Sequence, residues 1–281
     1  MFQTFSLHKS LAVVWALQNL GFSYASFEDE LRAGRSLSIG YVLYPGFEPL
    51  DVYGPLEILY AMSEVYNMTL STIASQEGPV SARAPPRIAT PEFPEFSPYS
   101  FDHMIGPSTV ATHTFKTAPP LDVIIVPGGR GDAAIIQTKD SSISDFLNQR
   151  LDSAQYILSV CTGSGFLGRA GLLKGKRATT NKYAWPFITD EKWGKDIKWV
   201  PSARWVEDGK IWTSSGVAAG LDMMYAFMKH LYGTEMLNMV LNTLEYVPHQ
   251  DAHWDPFSVV WKVPGAETNR SLADCAAPVE S

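Results

Sequence analysis

Tyr156-Ile157-Leu158-Ser159-Val160-Cys161-Thr162-Gly163-Ser164-Gly165 is the stretch that decides the fold. Its first five residues make a short apolar run, the pattern of a buried strand. The small residues after Cys161 open a helix that runs on through Gly168-Arg169-Ala170-Gly171-Leu172. Strand, sharp turn and helix form the layout of a nucleophile elbow, in which small residues permit the turn that presents the side chain. At this junction a cysteine meets the positive end of the helix dipole and unpaired backbone N–H groups. Both favour the thiolate, which is the nucleophile. The same spacing also suits a small cysteine that only packs.

Outward from this stretch the alternation repeats. Ile39-Gly40-Tyr41-Val42-Leu43-Tyr44 reads as a first buried strand, ended by Pro45-Gly46, with a helix from Val52 to Val65 behind it. Met68 to Ala74 reads as a second strand. Leu121 to Val126 is a third, closed by Pro127-Gly128-Gly129 and followed by a helix from Ser141 to Leu151. Arg177-Ala178-Thr179-Thr180 is a short strand. Trp199–Trp205 and Lys210–Thr213 are expected to pair as a hairpin across Asp208-Gly209. Two helices close the chain, Val217–Tyr232 and Thr234 to about Leu244. Strands alternating with helices predict an α/β sandwich with a mostly parallel sheet. Residues 78–99 hold six prolines, which excludes a central strand or a regular helix there and predicts a surface insertion bordering the active site.

The ends carry no such pattern. Residues 1–25 have the layout of a secretory signal peptide: His8 and Lys9, the apolar Leu11–Leu17, then Ser23 and Ala25 before a cut. Gln18 and Asn19 break its apolar core, and an amphipathic leader is the alternative; localisation is therefore open between cytoplasm and secretion. Residues 26–36 read as a linker, 37–262 as the folded domain and 263–281 as a disordered tail. A formal net charge of −7 with no Lys/Arg cluster argues against a nucleic-acid partner. No apolar stretch is long enough for a membrane span. With two cysteines, Cys161 and Cys275, there is no disulfide framework and no CxxC metal pattern.

In an open α/β sheet, ligands bind where loops leave the carboxyl ends of strands. Asp51, Gly128-Gly129 and Cys161 all occupy such loops and are expected to converge. Singly, Asp51 could be only a helix N-cap, Glu48 a solvated loop charge, and Gly128-Gly129 a tight turn. Together they make a site, in which the glycine N–H groups would face a reacting atom. Thr162 would add its N–H, or its hydroxyl to hold water; otherwise it caps the helix it opens. A Cys–His pair would be the usual nucleophile and base. None of the six histidines stands after Thr179-Thr180, where Asn181 and Lys182 stand instead, so Asp51 is the better proton handler. The tryptophans 185, 193, 199, 205, 212 and 254 are candidates for an apolar pocket wall or for the core.

Several blocks carry a family resemblance. They are Tyr44-Pro45-Gly46-Phe47 with Leu50-Asp51-Val52-Tyr53-Gly54-Pro55, Val126-Pro127-Gly128-Gly129, Ser159-Val160-Cys161-Thr162-Gly163-Ser164 and Ala170–Thr180. With Ser215–Asp222 and Leu244-Glu245-Tyr246 they make the chain resemble the DJ/PfpI superfamily (class I glutamine-amidotransferase-like), over about residues 37–262. Within it the chain is most similar to the isocyanide (isonitrile) hydratase branch. That resemblance implies a flavodoxin-like three-layer sandwich and a homodimer. It implies a lyase that hydrates an isocyanide to an N-substituted formamide with no metal or organic cofactor. By position it implies Cys161 as nucleophile, Asp51 as acid/base partner and Thr162 in the same polar network. The bacterial hydratase pattern has His-Trp where Asn181-Lys182 stand here. The alternatives on the same scaffold are a glyoxalase-like or natural-product tailoring enzyme, and a redox-sensing module built on the cysteine.

Overall fold

The structure, a computed structural model, describes residues 25–86 and 103–272. In chain order the elements are α1 (Phe27–Arg32), β1 (Leu37–Val42), α2 (Pro49–Met62), β2 (Met68–Ala74), β3 (Gly78–Ser81), β4 (Ser108–Ala111), β5 (His113–Thr114) and β6 (Val123–Val126). Then come α3 (Asp132–Gln137), α4 (Ser142–Arg150), β7 (Tyr156–Ser159), α5 (Gly163–Arg169), β8 (Arg177–Ala178), α6 (Trp185–Ile188), a 3₁₀ turn (Glu191–Trp193) and β9 (Lys198–Trp199). The chain closes with β10 (Trp205–Asp208), β11 (Ile211–Ser214), α7 (Ala219–Tyr232), α8 (Glu235–Thr243) and α9 (Phe257–Val260).

Seven strands form one sheet in the order β10-β11-β7-β6-β1-β2-β5, parallel throughout except for the β10–β11 hairpin. β1, β6 and β7 are buried on both faces, which is why they read as continuous apolar runs rather than alternating ones. α1, α2, α7 and α8 pack together as one helical layer, and α4 and α5 pack with each other. The architecture is the three-layer α/β sandwich expected. β1 lies between β2, which follows it in the chain, and β6, which comes later. Strand order reverses there, and the crevice at the carboxyl ends of β1, β6 and β7 is where such a sheet binds ligands.

Three local expectations need correction. Residues 26–36 are not a plain linker, because α1 occupies 27–32. Ser26 Oγ accepts from Asp29 N–H while Asp29 accepts from Ser26 N–H, a reciprocal cap, and Leu31 is buried against the core. α2 starts at Pro49, ahead of Asp51. Proline is suited to the first helical position, where its missing N–H would have had no partner anyway. The hairpin is Trp205–Asp208 with Ile211–Ser214, whereas Lys198–Trp199 pairs in parallel with Arg177–Ala178 in a separate ribbon. Within the proline-rich segment, residues 78–81 form an edge strand antiparallel to 108–111, which the exclusion of a central strand leaves open. Pro79 is tolerated there because the ribbon has only two strands and leaves edges free. The rest of the proline-rich segment from 87, the leader up to residue 24 and Cys275 lie outside the described residues. Of the stretch read as a tail, Glu267 N–H donates to Ser202 Oγ and Arg270 pairs with Asp251.

Candidate active site

The three loops expected to converge do so. Glu48 N–H donates to the Gly128 carbonyl and Gly131 N–H to the Gly46 carbonyl, which stitches the β1–α2 loop to the loop after β6. Gly128 then sits against the elbow. A Cβ on it would lie 2.5 Å from Thr162 N, 2.6 Å from Thr162 Oγ1 and 3.0 Å from Asp51 Oδ2, so only glycine fits. Gly163 is equally constrained, since a Cβ there would lie 2.2 Å from the Val126 carbonyl oxygen.

Cys161 has φ +58°, a left-handed conformation unusual for a side chain of this type, at the tight turn between β7 and α5. Its carbonyl accepts from Thr180 Oγ1 at 3.1 Å and Ser164 Oγ at 3.3 Å, which holds the strained turn from two sides. The side chain is 6% exposed and reaches the edge of a cleft of about 500 Å³. Asn181 Nδ2 donates to Cys161 Sγ at 3.2 Å, while Asn181 Oδ1 accepts from Ala184 N–H at 3.0 Å. The second bond fixes the amide so that its NH₂ faces sulfur. Asn181 is thus a site residue whose role the sequence did not disclose, because it stands 20 positions from Cys161 and no local pattern joins them.

Asp51 sits in the first turn of α2 and is not its N-cap, a place taken by Glu48. It is fully buried. Its Oδ2 accepts from Gly128 N–H at 2.8 Å, and its Oδ1 is buried without a well-aligned donor. Pro55, four residues on, has no N–H to give the Asp51 carbonyl, and Tyr41 Oη donates to that carbonyl at 2.7 Å in its place. The turn carrying the acid is therefore clipped to β1.

Electrostatics revise the expectation of a ready thiolate. Burial pushes the Asp51 carboxyl up to about 8, against the pull of Gly128 N–H and of the nearby Cys161 thiol. Burial, with Asp51 beside it, also holds the Cys161 thiol well above its ordinary value, although Thr162 N–H and Asn181 favour the thiolate. The short α5 does not overcome desolvation. At neutral pH the pair rests as carboxylic acid and thiol.

Thr162 makes no capping bond with its side chain; its Oγ1 accepts from Gly129 N–H at 3.1 Å. The N–H groups of Gly128 and Gly129 are thus both given to protein acceptors, so the oxyanion role expected of them has no free donor. Glu48 is not a solvated loop charge either. It is half-buried on the cleft wall, its carboxyl raised by burial and drawn back by Arg130. The aromatic wall is Tyr183 and Phe187 rather than any of the tryptophans singled out, four of which are buried. No described histidine lines the cleft: His113 is on the edge strand β5 and His230 contacts Tyr156 and Glu28. Among the described residues no group of three or more His, Cys, Asp or Glu side chains is placed to hold a metal, and no helix is long and apolar enough to cross a membrane.

A cysteine at a tight strand-to-helix turn, beside a buried carboxylic acid at the carboxyl edge of a mostly parallel sheet, defines the class. Residues 41–230 match the model of the DJ-1/PfpI family, and the chain belongs to that family. It is 32% identical over 213 residues to an isonitrile hydratase of Pseudomonas putida, covering 76% of this chain and 80% of that one. It is also 32% identical over 127 residues to a deglycase of Pyrococcus horikoshii, covering 44% of this chain and 69% of that protein. Among solved structures, a ThiJ/PfpI family protein from Pseudomonas syringae aligns with TM-score 0.60 and 26% identity, over 82% of this chain and 84% of that one. Drosophila melanogaster DJ-1beta aligns with TM-score 0.57 and 17% identity, over 76% and 100%, a likeness of fold alone.

Proposed function

We propose that the protein is a cysteine-dependent hydratase that converts an isocyanide to an N-substituted formamide. The observation that carries this reading is the Cys161 thiol on the wall of a cleft of small-molecule size, with the Asp51 carboxyl, raised to about 8, buried behind it. The isonitrile hydratase relative supports the choice of substrate.

The terminal carbon of an isocyanide accepts a nucleophile and a proton at the same atom. In the form of the pair that holds one proton, the Asp51 carboxylate takes the thiol proton as Cys161 Sγ attacks that carbon, and delivers it to the carbon as the carbon–nitrogen triple bond becomes double. The S–H bond breaks; S–C and C–H bonds form; the product is a thioimidate on Cys161. Asp51, again a carboxylate, then removes a proton from water as the water oxygen joins the carbon, and passes that proton to the nitrogen. The S–C bond breaks, the hydroxyl becomes the formyl carbonyl, and its proton returns to sulfur. Asn181 Nδ2 steadies negative charge on sulfur as it forms and as it leaves. Thr162 Oγ1, fixed by Gly129 N–H, keeps a hydroxyl at the cleft wall for the water. General acid–base transfer of this kind contributes about 10²–10⁴-fold in rate.

The test is formamide production from a simple alkyl or aryl isocyanide, followed by mass spectrometry for a thioimidate on Cys161. Cys161→Ala should abolish turnover, and Asp51→Asn should lower kcat by at least about 10²-fold. Undiminished turnover in Cys161→Ala would refute the covalent step. The deglycase relative favours a second reading, attack of the same sulfur on an α-oxoaldehyde. Consumption of methylglyoxal without isocyanide turnover would select it.

A further inference from the structure

The Cys161 cleft does not end at Cys161. Asn181, Tyr183 and Val217 line it and also line a second cavity of about 260 Å³, so the two are neighbouring lobes that share a wall. The floor of the second lobe holds Lys182, Arg204 and Asp255, each at most 5% exposed. Their polar atoms have partners inside the protein. Arg204 Nε meets Asp222 Oδ2 at 2.6 Å, and its Nη1 lies 3.7 Å from Asp255 Oδ1. Lys182 Nζ donates to Thr179 Oγ1 at 2.7 Å and to the Ala203 carbonyl at 2.8 Å. The lobe therefore presents apolar wall to a ligand, supplied by Val217, Ala218, Phe257, Tyr183 and Trp261.

Two of those walls stand out for their exposure. Tyr183 is 66% exposed and Trp261 51%, and their rings meet edge to face with centroids 4.9 Å apart. Two aromatic rings in contact beside a cavity offer a surface on which a ligand ring can pack edge to face or offset. A volume of about 260 Å³ holds one aromatic ring and a short linker.

We propose that the second lobe is a substrate subsite for an aryl group, so that the preferred substrate is an arylalkyl isocyanide, with its isocyano carbon at Cys161 and its ring against Tyr183 and Trp261. This rests on the hydratase reading for the reaction and on the lobe alone for the ring. Tyr183 lines both lobes and Trp261 only the second. Neither touches the reacting atoms, so both act on specificity.

Two substrates decide it: 2-phenylethyl isocyanide, which carries a ring for the second lobe, and tert-butyl isocyanide, which carries none. Trp261→Ala should raise KM for the phenylethyl compound about tenfold and leave the tert-butyl compound within about twofold, with Trp261→Phe restoring most of the loss. Unchanged tert-butyl turnover shows that the variant is folded. Equal effects on both substrates, or none on either, overturn the subsite. Should neither isocyanide be turned over, the hydratase reading fails, and the lobe is tested by calorimetry on the full chain carrying Cys161→Ala. There N-(2-phenylethyl)formamide should bind about tenfold more tightly than N-tert-butylformamide, a difference that Trp261→Ala removes; without that difference the subsite is wrong as well.

Discussion

The pair Asp51 and Cys161 can hold two protons, one or none, and the proposed chemistry needs one. Both groups are raised, Asp51 to about 8 and the thiol well above its ordinary value, so at neutral pH most molecules carry both protons. The first to leave on raising the pH is the one on Asp51. The expected kcat/KM therefore rises through about pH 8 as the singly protonated pair appears, and falls at higher pH when the second proton goes. A pH–rate profile measured with a non-titrating isocyanide checks this. A rising limb near pH 5 would mean that burial does not hold both protons on the pair at neutral pH. Asn181 adds no limb of its own, because an amide donor does not titrate.

At the level of elements, the site is three strand ends held together by glycine contacts. Gly128→Ala puts a methyl group into Thr162 N, Thr162 Oγ1 and Asp51 Oδ2, so the loop after β6 must move away from the elbow. The expected result is loss of turnover by at least about 10²-fold, because displacing positioned groups by about 1 Å is enough for that. Overpacking should also lower stability by about 1–3 kcal/mol, which urea unfolding followed by circular dichroism reports. The elements that carry these groups were readable. β1, β6 and β7 are apolar runs of strand length, and small residues follow Cys161 where a turn is needed. The helix α1 was not read, since a single buried residue, Leu31, gives no periodicity; the Ser26-x-x-Asp29 cap was the available signal. α2 starts three residues ahead of the expected Val52, because Pro49 suits the first helical position and Glu48 stands before it as N-cap. Asn181 and the Tyr183–Trp261 pair escaped for another reason: their partners are set by the return of the chain across the sheet, which spacing does not encode.

Across the whole molecule, a buried ionic knot ties the C-terminal segment to the sandwich. Asp222 on α7 meets Arg204 and also accepts from the Tyr246 hydroxyl and from His249 N–H. Asp255 accepts from the Ser215 hydroxyl and lies near Arg204. Asp222→Ala removes the main partner of a guanidinium that is 6% exposed in its side chain. The expected cost is about 3–5 kcal/mol, from leaving a charge buried and under-compensated. Thermal unfolding of the full chain checks it, and a loss below about 1 kcal/mol would show that Arg204 finds water or another acceptor. Since the same knot forms the floor of the second lobe, the variant should also loosen the ring subsite before it affects Cys161.

The rung missing at Pro55 has a mechanical consequence. A regular α2 would transmit any tilt or slide along its axis into its first turn. Here that turn is also held by the Tyr41 phenol on β1, while the remainder of α2 packs on α7, with Gly54 at Leu221. The link missing from the helix ladder is thus replaced by one to the sheet, and the Asp51 backbone is anchored to β1 as well as to α2.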